Sequence, residues 1–125
     1  MKVLLYGVGV IGSLTAHELC RAGNEVTVIA RGRWKEVLEQ QGLRIHAYSG
    51  NKEWTDYPEV LGEYDRNTYD VVFSIMQNQQ QTEIVDTLAC VQAKYVVLVG
   101  NNLQSEKMQQ QLKRQKNRNR IIKIL

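Results

Sequence analysis

The sequence predicts an α/β domain: a doubly wound, mostly parallel sheet with helices on both faces. Three observations carry that expectation. Buried-strand runs alternate with helix-period stretches along the 125 residues, a pattern that implies βαβ units, right-handed crossovers and parallel pairing. The first run, Val3 to Tyr6, enters a G-x-G-x-x-G turn at Gly7, Gly9 and Gly12, and a helix-like pattern follows at once. The second run, Glu25 to Ala30, ends about 20 residues past those glycines, which is the spacing of the first two strands in a Rossmann-type sheet.

Each element has its own signal. Val10 to Ala22 reads as the first helix, with Ile11, Leu14, Leu19 and Ala22 in one arc expected to face the sheet. Gly23-Asn24 ends it as a left-handed cap would. Glu25 to Ala30 is β-branched and reads as a buried parallel strand. Trp34 to Gln41 is a short helix with Trp34, Val37 and Leu38 on one side, and Gly42 is its stop. Leu43 to Tyr48 alternates apolar and polar, Ser49 to Lys52 is a turn, and a strand near Trp54 is expected to pair back. Asp56 to Asn67 holds the only proline, Pro58, and reads as loop with one helical turn at Glu59 to Leu61, stopped by Gly62. Tyr69 to Met76 is a buried strand, Thr82 to Val91 a helix carrying Ile84, Val85, Leu88 and Val91, and Tyr95 to Val99 the next strand. Ser105 to Lys116 reads as a polar helix with Met108 and Leu112 spaced by four, and Arg120 to Leu125 as a last strand.

Size and composition bound the function. The chain is expected to form a single domain over residues 1–125, with 43% hydrophobic and 23% charged residues, ordinary for a globular protein. No apolar run approaches the roughly 20 residues that cross a bilayer, and no cleavage-like site follows the first strand. Cys20 and Cys90 lie far apart in helix-like segments without a C-x-x-C, so they are expected to be reduced core thiols in a cytoplasmic protein. His17 and His46 are isolated, and no metal site is expected. Lys113, Arg114, Lys116, Arg118, Arg120 and Lys123 form a basic run, but the net charge is only +3 and no aromatic residue interrupts the run. That argues for a solvated surface and against nucleic acid. Trp34, Trp54 and most of the tyrosines are expected to be packing residues.

The glycines carry chemistry. Gly7 permits the tight strand-to-helix turn, Gly9 lets a pyrophosphate approach bare backbone, and Gly12 lets the helix pack close to the strand. The helix that follows points its free N–H groups and positive dipole end at the phosphates. Gly7, Val8, Gly9, Val10, Ile11 and Gly12 are therefore the expected cofactor cradle. At the end of the second strand, an NAD site places an acid against the ribose 2′-hydroxyl. Here the chain reads Ala30-Arg31-Gly32-Arg33 instead. A carboxylate repels a 2′-phosphate, whereas a guanidinium grips it with parallel charge-assisted hydrogen bonds. The expected cofactor is NADP(H), with Arg31 the first candidate for the 2′-phosphate and Arg33 the second. Ligands in such sheets bind beyond the carboxyl ends of the strands, which adds Gln77 to Gln80 and Gly100 to Asn102 as candidate regions.

Lys2 to Ser13, Arg21 to Gly32 and Gln41 to Ile45 together resemble the N-terminal domain of the ketopantoate reductases (2-dehydropantoate 2-reductases). The resemblance is dense through Ile45, looser from Thr55 to Arg66, and resumes at the strands around Val71 and Val97. It implies an NADPH-dependent enzyme of the kind used in pantothenate biosynthesis, which moves a hydride to the ketone of a small 2-oxo acid and yields a 2-hydroxy acid. It also implies that Arg31 holds the 2′-phosphate, that Gln77 and Gln80 occupy a Lys-x-x-Gln pattern near the adenosine, and that Asn101 orients substrate and nicotinamide. The sequence departs from the family at Gln77, where a lysine is usual, and at Asn102, where the Gln-Asn-Gly pattern ends in glycine. These departures suggest a divergent branch with another 2-oxo acid as substrate. Family members carry a C-terminal helical domain that supplies a catalytic lysine and a substrate-binding glutamate, and nothing in this chain matches it. The expectation is thus a domain truncated at its C-terminus that binds cofactor with little turnover alone and self-associates through the surface left open. A non-catalytic NADP(H)-binding or sensing module is the alternative.

Overall fold

β1 (Lys2–Tyr6) is the axis of the molecule, with Val3, Leu4 and Leu5 fully buried. The computed structural model describes residues 1–47, 50–75, 85–99 and 120–124. After β1 come α1 (Val10–Arg21), β2 (Glu25–Ile29), α2 (Gly32–Gln41), β3 (Leu43–His46), β4 (Glu53–Asp56) and β5 (Glu59–Leu61). β6 (Thr68–Ile75), α3 (Val85–Cys90), β7 (Gln92–Val99) and β8 (Arg120–Ile124) complete the order. Six strands make one parallel sheet in the order β5-β2-β1-β6-β7-β8, and β3 pairs antiparallel with β4. The chain winds outward from β1 through β2 to β5, returns to β6 on the other side of β1, and winds outward again. This is the doubly wound Rossmann-type arrangement, and its direction reverses between β1 and β6.

The period-2 alternation of the strands divides the core in two. Leu5, Val26 and Val28 face Ala16 of α1, Leu38 of α2 and Leu43 of β3. Leu4, Tyr6, Val72 and Val96 face the other way, with Leu88 of α3. Helices therefore cover both faces, as continuous apolar strands require.

α1 uses only one member of the expected stripe, Leu19, which packs partly buried against the core. Ile11 and Leu14 are 63% and 52% exposed and Ala22 lies on the surface, while Gly12, Ala16 and His17 are buried. The reason is distance: a Cβ at Gly12 would fall 1.8 Å from the Gly7 carbonyl oxygen, so the helix lies too close to β1 for large side chains. The end of α1 is as expected: Gly23 adopts φ +87° and Asn24 N–H bonds to Leu19 O at 3.1 Å.

Two further elements differ from the sequence reading. Glu59 to Leu61 is a strand and not a helical turn, because the free edge of β2 offers partners at Thr27 to Ile29 and Ala30 N–H bonds to Leu61 O at 2.9 Å. Pro58 is tolerated because it precedes a short edge strand. α2 begins at Gly32, two residues before Trp34, and ends at Gly42 (φ +76°) as expected. The strand near Trp54 pairs back from Leu43↔Asp56 to His46↔Glu53. Arg120 and Lys123 of the basic run lie in β8, beside Tyr95 and Leu98. The polar helix expected at Ser105 to Lys116 lies outside the described residues.

The β3–β4 pair is docked on α1 through a buried histidine. His17 is 5% exposed, and its Nδ1 lies 2.5 Å from Asp56 Oδ2. Its ring packs against Trp54 with centroids 5.5 Å apart. Cys20 is partly buried, and burial, with a smaller push from the Asp56 charge, raises its thiol pKa. Cys90 is exposed and not in the core as expected, since α3 turns it away from the buried Leu88. Both cysteines are free. Among the described residues no helix is long and apolar enough to cross a membrane, and no group of three or more potential ligands could hold a metal ion.

Gly12→Ala is expected to lower stability by about 1–3 kcal/mol or more, read as a reduced urea midpoint; an unchanged midpoint would show that the α1–β1 approach can relax. Asp56→Ala leaves the buried His17 ring without its acceptor and should cost about 1–3 kcal/mol. Asp56→Asn retains an acceptor oxygen and should cost less in the same assay.

Candidate dinucleotide-binding site

The strand register brings the carboxyl ends of the central strands to one edge. Tyr6 lies beside Ile29 and Ser74, Ile29 beside Leu61, and Ser74 beside Leu98. The glycine turn leaves β1 at this edge, directly at the β1/β6 switch point. Such a crevice is where open parallel sheets receive ligands.

The turn has the shape that the glycines require. Gly7 adopts φ +94°, a conformation open to glycine and strained for other residues. Gly9 is exposed, and a Cβ placed on it would meet no atom within 4 Å, so its outer side is clear backbone. Gly9 is also the N-cap of α1 and provides no side-chain cap, while Ser13 N–H makes the first helical bond to Gly9 O at 2.8 Å. The amides ahead of Ser13 therefore begin the helix without intrahelical partners. Val10 is 90% and Ile11 63% exposed, so the first turn borders open surface. Val8 points inward, and its carbonyl accepts hydrogen bonds from Ser13 Oγ at 3.3 Å and from Trp34 Nε1 at 3.2 Å.

A second helix start lies next to the first. Arg31 is the N-cap of α2, in extended conformation (φ −130°, ψ 157°), with no side-chain cap, and Gly32 adopts φ +61°. The Arg31 side chain is exposed and forms no ion pair among the described residues. It lines an open-sided cavity of about 520 Å³ with Leu61, Gly62, Glu63, Tyr64 and Asp65. Arg33 is exposed in the first turn of α2 and does not line that cavity.

The cavity floor has a mixed charge. Asp65 accepts hydrogen bonds from Asn67 N–H at 3.2 Å, Asn67 Nδ2 at 2.6 Å and Tyr69 Oη at 3.0 Å. Burial works to raise the Asp65 pKa, but these donors together outweigh it and hold the carboxyl below its usual range. The Asp65 charge is thus tied to the wall. Tyr69 is pushed up in turn by burial and by its bond to Asp65. Tyr6, at the end of β1, is pushed up to about 12, chiefly by burial, with Tyr64 and Asp65 adding to the effect and Arg31 opposing it. Its hydroxyl is buried without a hydrogen-bond partner among the described residues.

The structure therefore brings together Gly7 to Gly12 and Arg31 at one edge of the sheet. Gln77, Gln80 and Asn101 lie outside the described residues; the strands that lead to them end side by side, Ile75 beside Val99. Two features escaped the sequence reading. Trp34, expected to be a packing residue, is 45% exposed and bonds to the glycine turn. Leu61, expected in a helical turn, and Gly62 to Asp65, expected as its stop and loop, form the wall facing Arg31. For Trp34 the available signal was an indole three residues beyond Arg31; no local signal marked the wall.

Comparison with known proteins agrees with this architecture. Over 72 residues the chain is 35% identical to an uncharacterized oxidoreductase, YkpB, of Bacillus subtilis, a match covering 58% of this chain and 23% of that protein. Over 52 residues it is 40% identical to the 2-dehydropantoate 2-reductase of Pyrococcus horikoshii, covering 42% of this chain and 17% of the other. The chain thus spans about a fifth of the length of these curated relatives. Among solved structures, a D-mandelate dehydrogenase in ternary complex with NADH and anilino(oxo)acetate superposes with a TM-score of 0.76 at 20% identity, covering 90% of this chain and 37% of that one. The shared architecture is a nicotinamide-dinucleotide-binding fold. The model of the ketopantoate reductase PanE/ApbA family matches residues 3–124, and the chain belongs to that family.

Proposed function

We propose that this chain is the NADPH-binding domain of a 2-oxo acid reductase. The observation that carries the reading is Arg31: a guanidinium without an ion-pair partner among the described residues, at the carboxyl end of β2, where an NAD site needs an acid, beside a glycine turn with clear backbone at Gly9.

Val10, Ile11 and Gly12 would present the first amides of α1 to the diphosphate, with Gly7 and Val8 shaping the turn beneath Gly9. Arg31 would hold the 2′-phosphate, helped by the uncapped start of α2 and by Arg33. Gln77 and Gln80 are proposed for the adenosine end, and Asn101 for orienting the nicotinamide and the substrate carbonyl. NADPH, when bound, supplies the hydride that converts the ketone of a small 2-oxo acid to a 2-hydroxy acid. The group that protonates the resulting oxygen is assigned to the part of the relatives' length that this chain does not span.

Titration with NADPH and NADH, wild type beside Arg31→Ala, tests the reading. The wild type should favour NADPH, and Arg31→Ala should weaken NADPH about 10- to 100-fold, the loss of charged hydrogen bonds of about 1.5–3 kcal/mol, while leaving NADH binding nearly unchanged. NADH bound by the wild type as tightly as NADPH, or an Arg31→Ala protein with undiminished NADPH affinity, would remove the 2′-phosphate argument.

A further inference from the structure

We infer that Trp34 is a positioning residue for the diphosphate: by holding the Val8 carbonyl, it fixes the direction of the Gly9 amide. The inference rests on the dinucleotide reading above and extends it to a residue outside the glycine turn.

The argument begins with the peptide plane. In a trans peptide the C=O of one residue and the N–H of the next lie in one plane and point in opposite directions. Holding the Val8 oxygen therefore fixes the Gly9 N–H. Two donors hold that oxygen: Trp34 Nε1–H at 3.2 Å and Ser13 Oγ–H at 3.3 Å. One comes from α2 and the other from α1, so the carbonyl faces both helices and the Gly9 N–H points away from them. Gly9 is exposed, with open space where a side chain would stand. Without the two donors the same peptide can rotate and present its carbonyl oxygen outward. An outward carbonyl repels a diphosphate, whereas an outward amide binds it.

Trp34 also links two parts of the site. It belongs to the first turn of α2, whose N-cap is Arg31, and its bond to Val8 spans 26 residues of sequence. The indole thus couples the helix start that carries Arg31 to the loop that carries Gly9. Phenylalanine keeps an aromatic ring at the position but removes the only donor of the side chain.

The test measures binding of NADPH, NADH and ADP by calorimetry to wild type, Trp34→Phe and Ser13→Ala. All three ligands contain the diphosphate, and only NADPH carries the 2′-phosphate. Trp34→Phe should weaken all three by a similar factor, about 10-fold, with the NADPH-to-NADH ratio unchanged. Ser13→Ala should show the same pattern and is the decisive variant if Trp34→Phe does not fold. In amide-resolved NMR the Gly9 resonance should shift in Trp34→Phe before any ligand is added. Unchanged affinities in both variants would overturn the inference and leave the dinucleotide reading intact. A loss confined to NADPH would also overturn it, because the indole would then act at the 2′-phosphate. A wild type that binds none of the three would overturn the dinucleotide reading together with the inference.

Discussion

The approach of α1 to β1 at Gly12 is the constraint on which the rest depends. With a side-chain carbon at residue 12 only 1.8 Å from the Gly7 carbonyl oxygen, the helix could not lie where it does. The close approach brings Ala16 onto Leu5 and Val28 and lowers His17 into reach of Asp56. The β3–β4 pair is therefore anchored by a consequence of a glycine some distance away. The same contact sets the start of α1 at the carboxyl edge of the sheet, beside the β1/β6 switch point. Packing and site geometry follow from one missing side chain.

Two helix starts meet at that edge, and the electrostatics follows from them. Neither N-cap, Gly9 or Arg31, makes a side-chain cap, so both helices offer backbone donors outward. Arg31 adds a charge with no ion-pair partner among the described residues. The opposing Asp65 is held to the wall by Asn67 and Tyr69, and burial pushes the Tyr6 phenol pKa further above its ordinary value. Arg31 is left to the surface, and of the two carboxylates that line the cavity Asp65 is engaged within the protein while Glu63 is exposed. Trp34 then ties the two helix starts together through the Val8 carbonyl.

The legible parts of the site were those with a local cause. The glycine spacing states the turn, because φ +94° at Gly7 and the crowding at Gly12 are conditions on single residues. Arg31 was legible because its place is fixed by the end of β2. The buried face of α1 differs from the expectation: hydrophobicity favours Ile11 and Leu14, whereas the available space selects Gly12 and Ala16. β5 is not legible locally because three residues after a proline have no strand signal of their own. Their pairing is a property of the open edge of β2.

By itself the sequence determined the alternation of strands and helices, the parallel sheet, the glycine turn and the cation at residue 31. These follow from periodicity, from backbone freedom and from formal charge, all carried by short stretches of chain. Only the tertiary structure decided which face of α1 is buried, that Glu59 to Leu61 complete the sheet edge, that His17 meets Asp56, and that Trp34 reaches Val8. Each of these joins residues distant in the chain or depends on how closely two elements approach. Distance between elements is set by the whole packed core, and no local pattern encodes it.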